Sequence, residues 1–208
     1  MKYRLRLTYS VDGPARYASN LDYLRVWERA ARRAGLVLLY SSGFNPRPHI
    51  QVAAALPVGF AGRAELLDLW LAQPADPDAA REGLAGALPA GLVIVRAELA
   101  DPAEGPLPAR VQAAEYTAEV ETETPLDEVR RRVVELLAAS SLPRQRRGRS
   151  YDLRPLVLQL RVEEGERVVL RRELDARQSA TGRPEEVLDA LGLAGGFFRV
   201  WRERLVIT

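Results

Sequence analysis

The sequence predicts an α+β protein built from two tandem ferredoxin-like βαββαβ sandwiches, each with an antiparallel four-stranded sheet and two helices on one face. Three observations lead to this prediction. The length of 208 residues suits two domains of about 100 residues each. Apolar periodicity gives the order strand, helix, strand, strand, helix, strand in both halves. Between them, Asp101–Pro108 holds three prolines and a glycine in eight residues, which is typical of a linker. The predicted division is a domain at 1–100, a Pro-rich linker at 101–112 and a domain at 113–208.

In the first half, residues 2–9 alternate strictly between apolar and polar side chains, as one strand of a half-buried sheet does. A helix is predicted at 20–34, with Ser19 or Asn20 as its N-cap and Gly35 just past its end. We expect Leu21, Leu24, Trp27, Ala31 and Ala34 to face the sheet. The remaining predicted elements of this half are strands at 36–40, 49–56, 65–72 and 92–99 and a helix from Asp76 or Asp78 to Leu88.

The second half repeats this order of elements without residue-level identity to the first. Its predicted strands are 115–121, 156–162, 168–174 and 198–207, and its predicted helices are 125–139 and 184–191. In this predicted fold both helices lie on one face of each sheet. The other face must then be covered by another part of the protein or a partner, or be exposed to solvent. On the first strand that face carries Lys2, Arg4 and Arg6. The aromatic pattern of a standard RNA-recognition sheet is missing from the sequence.

Composition excludes several classes of function. The chain has no cysteine, which excludes disulfides, thiolate metal sites, cysteine nucleophiles and iron–sulfur ligation by this chain. No run approaches the roughly 18 apolar residues of a membrane helix, and the N-terminus does not read as a signal peptide, so we expect a cytoplasmic protein. A metal is not predicted because the single histidine has no second histidine or cysteine to accompany it. A cofactor is not predicted because no phosphate-binding or dinucleotide-binding motif is present.

The positive charge is almost entirely arginine. Lys2 is the only lysine among 30 basic residues. Arginine suits phosphates and stacks on bases, but a GC-rich genome would produce the same bias. The number of arginines therefore cannot distinguish nucleic-acid binding from genome composition, and the positions of the arginines have to be considered.

Several motifs in order carry a family resemblance. They are YASNLDYLR at 17–25, RAARRAG at 29–35, YSSGFNP at 40–46, ALPVG at 55–59, ELLD at 65–68, YDLRP at 151–155 and RPEEVL at 183–188. This series resembles the radical SAM-linked protein family, an uncharacterised domain encoded beside or fused to B12-binding-type radical SAM proteins. The resemblance implies a radical SAM protein as partner, and since that chemistry needs a cysteine triad, the partner would carry it. The chain departs from the family in having Asn20 and Arg47 where the family has histidine.

Two groups of residues are candidates for binding nucleic acid. One is predicted around a stiff loop, in which Gly43 and two prolines restrict the backbone, and the neighbouring helix. Its members are Arg25, Arg29, Arg32, Phe44, Asn45, Arg47 and His49. The other is the arginine-rich segment of the second half, with Arg144, Arg146, Arg147 and Arg149. Each of these residues also has a purely structural interpretation, in which it lies on a solvated helix face, in a turn or in contact with the core.

Asp22 and His49 are the only weak candidates for catalysis. Asp22 could act as a general base, but an acid in the first turn also stabilises a helix. His49 could transfer a proton, but no second histidine or cysteine accompanies it.

The leading hypothesis is a non-catalytic accessory protein that binds RNA and positions it for a radical SAM modifying partner. The first alternative is an RNA-acting enzyme that cleaves or modifies a base through His49 or Asp22. It rests on analogy with paired domains in RNA-cleaving and pseudouridine-forming proteins. The second alternative is a docking module for the radical SAM partner that makes no RNA contact.

Overall fold

A computed structural model describes residues 2–146, 148–165, 167–177 and 180–208, with only the backbone of Ala180. The chain divides into two compact units between Val111 and Gln112. None of the helices in the described part of the chain has the length and apolar composition needed to cross a membrane.

The first unit contains four strands and three α-helices among its described residues. The strands are β1 (Tyr3–Val11), β2 (Ile50–Val52), β3 (Ala61–Leu71) and β4 (Leu92–Ala100). The helices are α1 (Asn20–Arg33), α2 (Pro77–Ala85) and the short α3 (Leu107–Arg110). β1 pairs antiparallel with β3 on one side and with β4 on the other, and β2 pairs antiparallel with β3. The segments 36–40 and 53–56, predicted as strands, contribute only isolated bridges at Leu38 and Tyr40.

Side-chain alternation on β1 and β3 separates an apolar face from a polar one. Leu5, Leu7, Leu67 and Leu69 have no exposed surface and pack in one core with Trp27 of α1. Leu84 of α2 belongs to the same core. Burial of these apolar side chains is the main source of stability for this unit. Both longer helices therefore cover the same face of the strands.

The opposite face of β1 and β3 holds a buried ionic network. Arg4 and Arg6 both donate to the carboxylate of Asp68, with Arg4 Nε at 2.6 Å and Arg6 Nε at 2.9 Å. Arg4 also donates to the main-chain carbonyls of Glu104, at 3.0 Å, and Gly105, at 3.2 Å. The arginines that the sequence suggested as a cationic surface are thus neutralised and covered, in part by the proline-rich segment that follows β4.

The second unit is built from the rest of the chain. Its strands are β5 (Val111–Val120), β6 (Pro143–Arg146), β7 (Arg149–Asp152), β8 (Val157–Glu163), β9 (Val168–Arg177), β10 (Ala180–Thr181) and β11 (Phe198–Ile207). Its helices are α4 (Leu126–Ala138) and α5 (Pro184–Ala190). β9 pairs with β5, β8 and β10. The hairpin of β6 and β7 is a separate two-stranded sheet.

The predicted fold class is wrong, although the order of its main elements agrees with the structure. In the described part of the chain the second unit has seven strands instead of four, and two of them, β6 and β7, form a separate sheet. With five α-helices this is a mixed α/β arrangement rather than two four-stranded ferredoxin-like sandwiches. The additional elements α3, β6, β7 and β10 are short and have no apolar period, so periodicity did not indicate them. Strand pairing is non-local, so periodicity within a segment cannot assign strands to sheets.

Candidate functional site

Helix α1 begins with a capping box that occupies Asp22. The Ser19 hydroxyl donates to Asp22 Oδ2 at 2.6 Å, and the Asp22 amide donates back to Ser19 Oγ at 3.2 Å. The Ser19 amide also donates to the Asp22 carboxylate at 3.2 Å. These hydrogen bonds from Ser19 lower the pKa of Asp22. The geometry therefore gives this carboxylate a structural role at the start of the helix.

The buried side chains of α1 show which side of the helix faces the solvent. Tyr23, Trp27, Ala30 and Ala31 are buried. Leu21, which was expected to face the sheet, is 66% exposed. It precedes Tyr23 by two residues, which is about 200° around a helix, so it points away from the core. The arginines of α1 also lie on the side of the helix that faces away from the core.

Four arginines extend from the outer side of α1. The side chains of Arg25 and Arg32 are 70% and 71% exposed, although each has an acidic neighbour, Asp22 at 3.7 Å and Glu28 at 3.3 Å. Arg29 and Arg33 are exposed and have no ion-pair partner within the part of the chain that the structure describes. Surface ion pairs of this kind are weak, so all four guanidinium groups can still bind an anion.

Tyr40 connects this helix to the loop that follows. Its hydroxyl donates to Glu28 Oε1 at 3.2 Å, and Arg32 Nη2 donates to the same oxygen at 3.3 Å. Partial burial and the hydrogen bond to Glu28 raise the pKa of Tyr40, so the hydroxyl keeps its proton. We call the patch formed by Arg25, Arg29, Arg32, Arg33 and Tyr40 the Arg–Tyr surface.

The loop leaves the Arg–Tyr surface at Tyr40 and returns at Pro48. Its base is closed by Ser41, whose amide donates to the Arg47 carbonyl at 2.8 Å and whose hydroxyl accepts from the Arg47 amide at 3.0 Å. Gly43 has a φ of 132°, which favours glycine. Phe44 follows at 106% exposure, and Asn45 and Arg47 are also exposed. The loop therefore presents an aromatic ring with no contact to the core.

His49 lies away from the Arg–Tyr surface. Its ring stacks on Trp70 with centroids 4.9 Å apart, and Arg4 lies 5.3 Å from the centre of the same indole. Trp70 is on the polar face of β3, whereas α1 covers the apolar face, so alternation puts His49 and α1 on opposite sides. Partial burial, followed by the charges of Lys2 and Arg4, lowers the pKa of His49. The imidazole is thus held neutral against an aromatic partner.

The arginine-rich segment of the second unit forms the β6–β7 hairpin. Arg149 is exposed, Arg146 is half-buried, and Arg144 lies 3.9 Å from Asp189. Arg147, the fourth candidate there, lies outside the described residues. Burial and Glu186 raise the pKa of Tyr151 in β7 to about 12. Arg144, Arg146 and Arg149 thus lie on two paired strands.

The sheet of the second unit carries a cavity of about 250 Å³ with mainly charged lining residues. Arg171 Nε donates to Glu163 at 2.7 Å, and Arg204 Nη2 donates to Glu115 at 2.6 Å. Glu173 and Glu203 add further negative charge to its lining. Within the part of the chain that the structure describes, the guanidinium nitrogens of the lining residue Arg172 have no hydrogen-bond partner. The lining still contains four glutamates against three arginines, so this face has no excess of cations for a polyanion.

Local patterns in the sequence did not indicate the contact between Tyr40 and Glu28. Their hydrogen bond joins residues 12 positions apart on different elements, and no local pattern indicates such a pairing. Within the described ranges, no group of three or more histidine or acidic side chains is placed to hold a metal ion.

Comparisons with known proteins place the chain by sequence and by fold. A sequence profile described as "uncharacterized protein conserved in bacteria" (DUF2344) matches residues 4–184. No curated protein matches the chain.

The solved structures that are similar to it include the following two. A Cbf5–Nop10–Gar1 complex matches with a TM-score of 0.52 and 14% identity, over 98% of this chain and 48% of that chain. An H/ACA RNP bound to a substrate RNA containing 2'-deoxyuridine matches with a TM-score of 0.50 and 14% identity, over 98% and 47%. This chain spans about half the length of those chains, and at this identity the likeness concerns the fold.

Proposed function

The chain belongs to the DUF2344 family of bacterial proteins, and from this premise and the Arg–Tyr surface we propose that it is a non-catalytic accessory protein that binds RNA. The observation that carries the proposal is the outer side of α1. Arg29 and Arg33 lack ion-pair partners among the described residues, and the helix leads through Tyr40 into a loop that exposes Phe44 completely. Guanidinium groups bind phosphates, and an exposed aromatic ring offers a base a stacking surface.

The proposed interface comprises residues of both candidate groups. In the first unit we assign phosphate contacts to Arg25, Arg29, Arg32 and Arg47 and base contacts to Phe44 and Asn45. In the second unit Arg144, Arg146 and Arg149 supply a further basic region. His49 is left out because it stacks on Trp70 on the other side of the strands. The likeness to an H/ACA RNP bound to a substrate RNA agrees with a role in RNA binding.

A radical SAM partner remains part of the proposal on the strength of the sequence resemblance alone. This chain has no cysteine with which to hold a cluster, so in such a pair it would position the RNA while the partner carries the chemistry. Co-purification of the chain with a radical SAM protein encoded beside it would test this part separately from RNA binding.

The catalytic alternative has less support in the geometry. Asp22 is engaged in the capping box, and hydrogen bonds from Ser19 lower its pKa, which makes it a weaker base. His49 has one face of its ring against Trp70. The docking alternative is favoured by one observation, the complete exposure of Phe44, because exposed aromatic rings also anchor protein interfaces.

The test is RNA binding by the purified protein across a salt series. A transfer RNA transcript serves as the structured probe, and the variant R25Q/R29Q/R32Q is compared with R63Q/R81Q/R96Q. The second variant removes the same charge from other positions of the first unit. Each phosphate contact adds about 0.7–0.9 to the slope of log affinity against log salt, so the first variant should lose about 2–3 and the control much less.

Two outcomes would contradict the proposal. Equal losses in the two variants would mean that general surface charge, and not the Arg–Tyr surface, attracts the RNA. If the wild-type protein does not bind RNA even at low salt, the docking alternative is left. A further variant, R144Q/R146Q/R149Q, measures the contribution of the β6–β7 hairpin in the same assay.

A further inference from the structure

The Arg–Tyr surface borders a small cavity that the sequence did not indicate. It has a volume of about 330 Å³ and is lined by Arg32, Gly35, Leu36, Val37, Leu38 and Tyr40. These residues are the end of α1 and the segment that leads into the loop. The volume lies at the lower end of the range for sites that hold small organic groups.

The lining combines the three surfaces that a nucleotide needs. Tyr40 supplies an aromatic ring that is 47% exposed, and Val37 supplies an apolar side chain that is 46% exposed. Arg32 supplies a guanidinium that is 71% exposed. Gly35, with a φ of 73°, has no neighbouring atom within 4 Å of an added Cβ, so its position leaves open space.

Glu28 holds the polar groups of Tyr40 and Arg32 in place in the absence of a ligand. Its Oε1 accepts from the Tyr40 hydroxyl at 3.2 Å and from Arg32 Nη2 at 3.3 Å. The side chain of Glu28 is only 25% exposed, so it stays next to both partners. An aromatic ring and a cation held in one geometry reduce the entropy lost on binding.

We propose that this cavity receives one unpaired base of an RNA, stacked on Tyr40, with the adjacent phosphate on Arg32. The inference rests on the proposed function and narrows it from RNA in general to RNA that presents an unpaired nucleotide. Proteins read RNA mostly at single-stranded loops and bulges, where bases can leave the stack and meet aromatic side chains.

The charges around the cavity favour a nucleotide over an apolar peptide. Arg29 and Arg33 lie on the same helix, exposed and without ion-pair partners among the described residues. The nearby carboxylate, Glu28, is already engaged by Tyr40 and Arg32. An apolar peptide would make no ion pair with Arg29 and Arg33, whereas the phosphates of an RNA backbone that passes the cavity would bind them.

The experiment compares two RNA probes of equal length. One is a hairpin with a 2-aminopurine in its loop, and the other is a blunt duplex with the same reporter base-paired. Stacking on Tyr40 should quench the fluorescence of the unpaired 2-aminopurine when wild-type protein binds. The Tyr40→Ala variant should lose this quenching and bind the hairpin roughly tenfold more weakly, with no change for the duplex.

Two further variants separate the loss of the ring from damage to the fold. Tyr40→Phe keeps the ring and should keep the quenching. Val37→Trp fills the cavity from a half-exposed position, so it should abolish quenching while leaving the thermal unfolding midpoint unchanged.

The outcomes distinguish this inference from the proposed function. If hairpin and duplex bind equally and Tyr40→Ala binds like the wild type, the base site is wrong, while salt-dependent binding would still support an RNA-binding protein. Failure to bind either probe at low salt would overturn both.

Discussion

Arg4 and Asp68 form a hydrogen-bonded ion pair, Nε to Oδ2 at 2.6 Å, although they are 64 residues apart and both side chains have no exposed surface. Arg6 donates to the same carboxylate from Nε at 2.9 Å and from Nη2 at 3.1 Å. Arg6 also pairs with Glu104, Nη1 to Oε2 at 3.2 Å, so Asp68 bridges the two buried arginines and Glu104 adds a second acid. This network explains why the polar face of β1 is not a cationic binding surface.

Replacing Asp68 by Asn should destabilise the protein strongly. The substitution keeps the shape of the side chain but leaves the buried Arg4 without its carboxylate partner and Arg6 with only the carboxylate of Glu104. We expect the free energy of unfolding to fall by about 3–5 kcal/mol, measured by urea denaturation. The control is Glu98→Gln, which breaks the more exposed pair with Arg96 and should cost less than about 1 kcal/mol. Equal losses for the two variants would show that the buried network contributes nothing special.

His49 should titrate below its ordinary pKa of 6.5 in the folded protein. It is the only histidine, so a single imidazole signal in a proton NMR titration reports it. Since the folded state prefers the neutral ring, the stabilising contribution of His49 is complete above about pH 6.5 and falls as the pH is lowered towards the folded pKa. His49→Phe keeps an aromatic ring on Trp70 and should remove this pH dependence. A folded pKa at or above 6.5 would contradict the prediction.

The capping box at the start of α1 predicts a measurable loss when Ser19 becomes Ala. The change removes the side-chain acceptor of the Asp22 amide and should cost about 1 kcal/mol of stability. Asn20→Ala, at the next position, should change the stability little.

Asp22→Asn adds a pH test of the same cap. The pKa of Asp22 is lowered in the folded state, so its contribution is present above pH 3.8 and is lost as the pH falls through the folded pKa. The stability difference between Asp22→Asn and the wild type should therefore shrink in acid. A difference that stays constant from pH 7 to pH 2 would contradict this role of the carboxylate.

Gly91→Ala should be more damaging than most glycine substitutions in the first unit. Gly91 has a φ of 91°, and an added Cβ would lie 2.3 Å from the carbonyl oxygen of Asp12. The strained φ alone costs about 1–3 kcal/mol for a residue other than glycine, and the backbone contact adds to it. Gly105→Ala is the matched control, because nothing lies within 4 Å of its added Cβ. Similar thermal unfolding midpoints for both variants would show that Asp12 moves aside at little cost.

Part of the candidate site could be predicted from the sequence. The pattern of arginines on α1 and the stiff loop with Phe44 at its tip both follow from local rules of periodicity, φ and turn chemistry. The arrangement of the polar groups beside Tyr40 could not be predicted, because the hydrogen bond between Glu28 and Tyr40 joins different elements. His49 also belongs to the loop in sequence, but its ring turns to Trp70 on the other side of the strands.

The sequence by itself determined the order of the main elements and several of their ends. Ser19 was one of two predicted N-caps of α1, Gly35 was predicted just past its end, and β11 was predicted at its observed bounds. These features depend on interactions between residues that are close together in the chain, so they can be predicted from local sequence patterns. The tertiary structure alone decided which strands share a sheet and that Asp68 neutralises Arg4 and Arg6. Both depend on contacts between residues far apart in the chain, and alternation within a strand does not specify its partner.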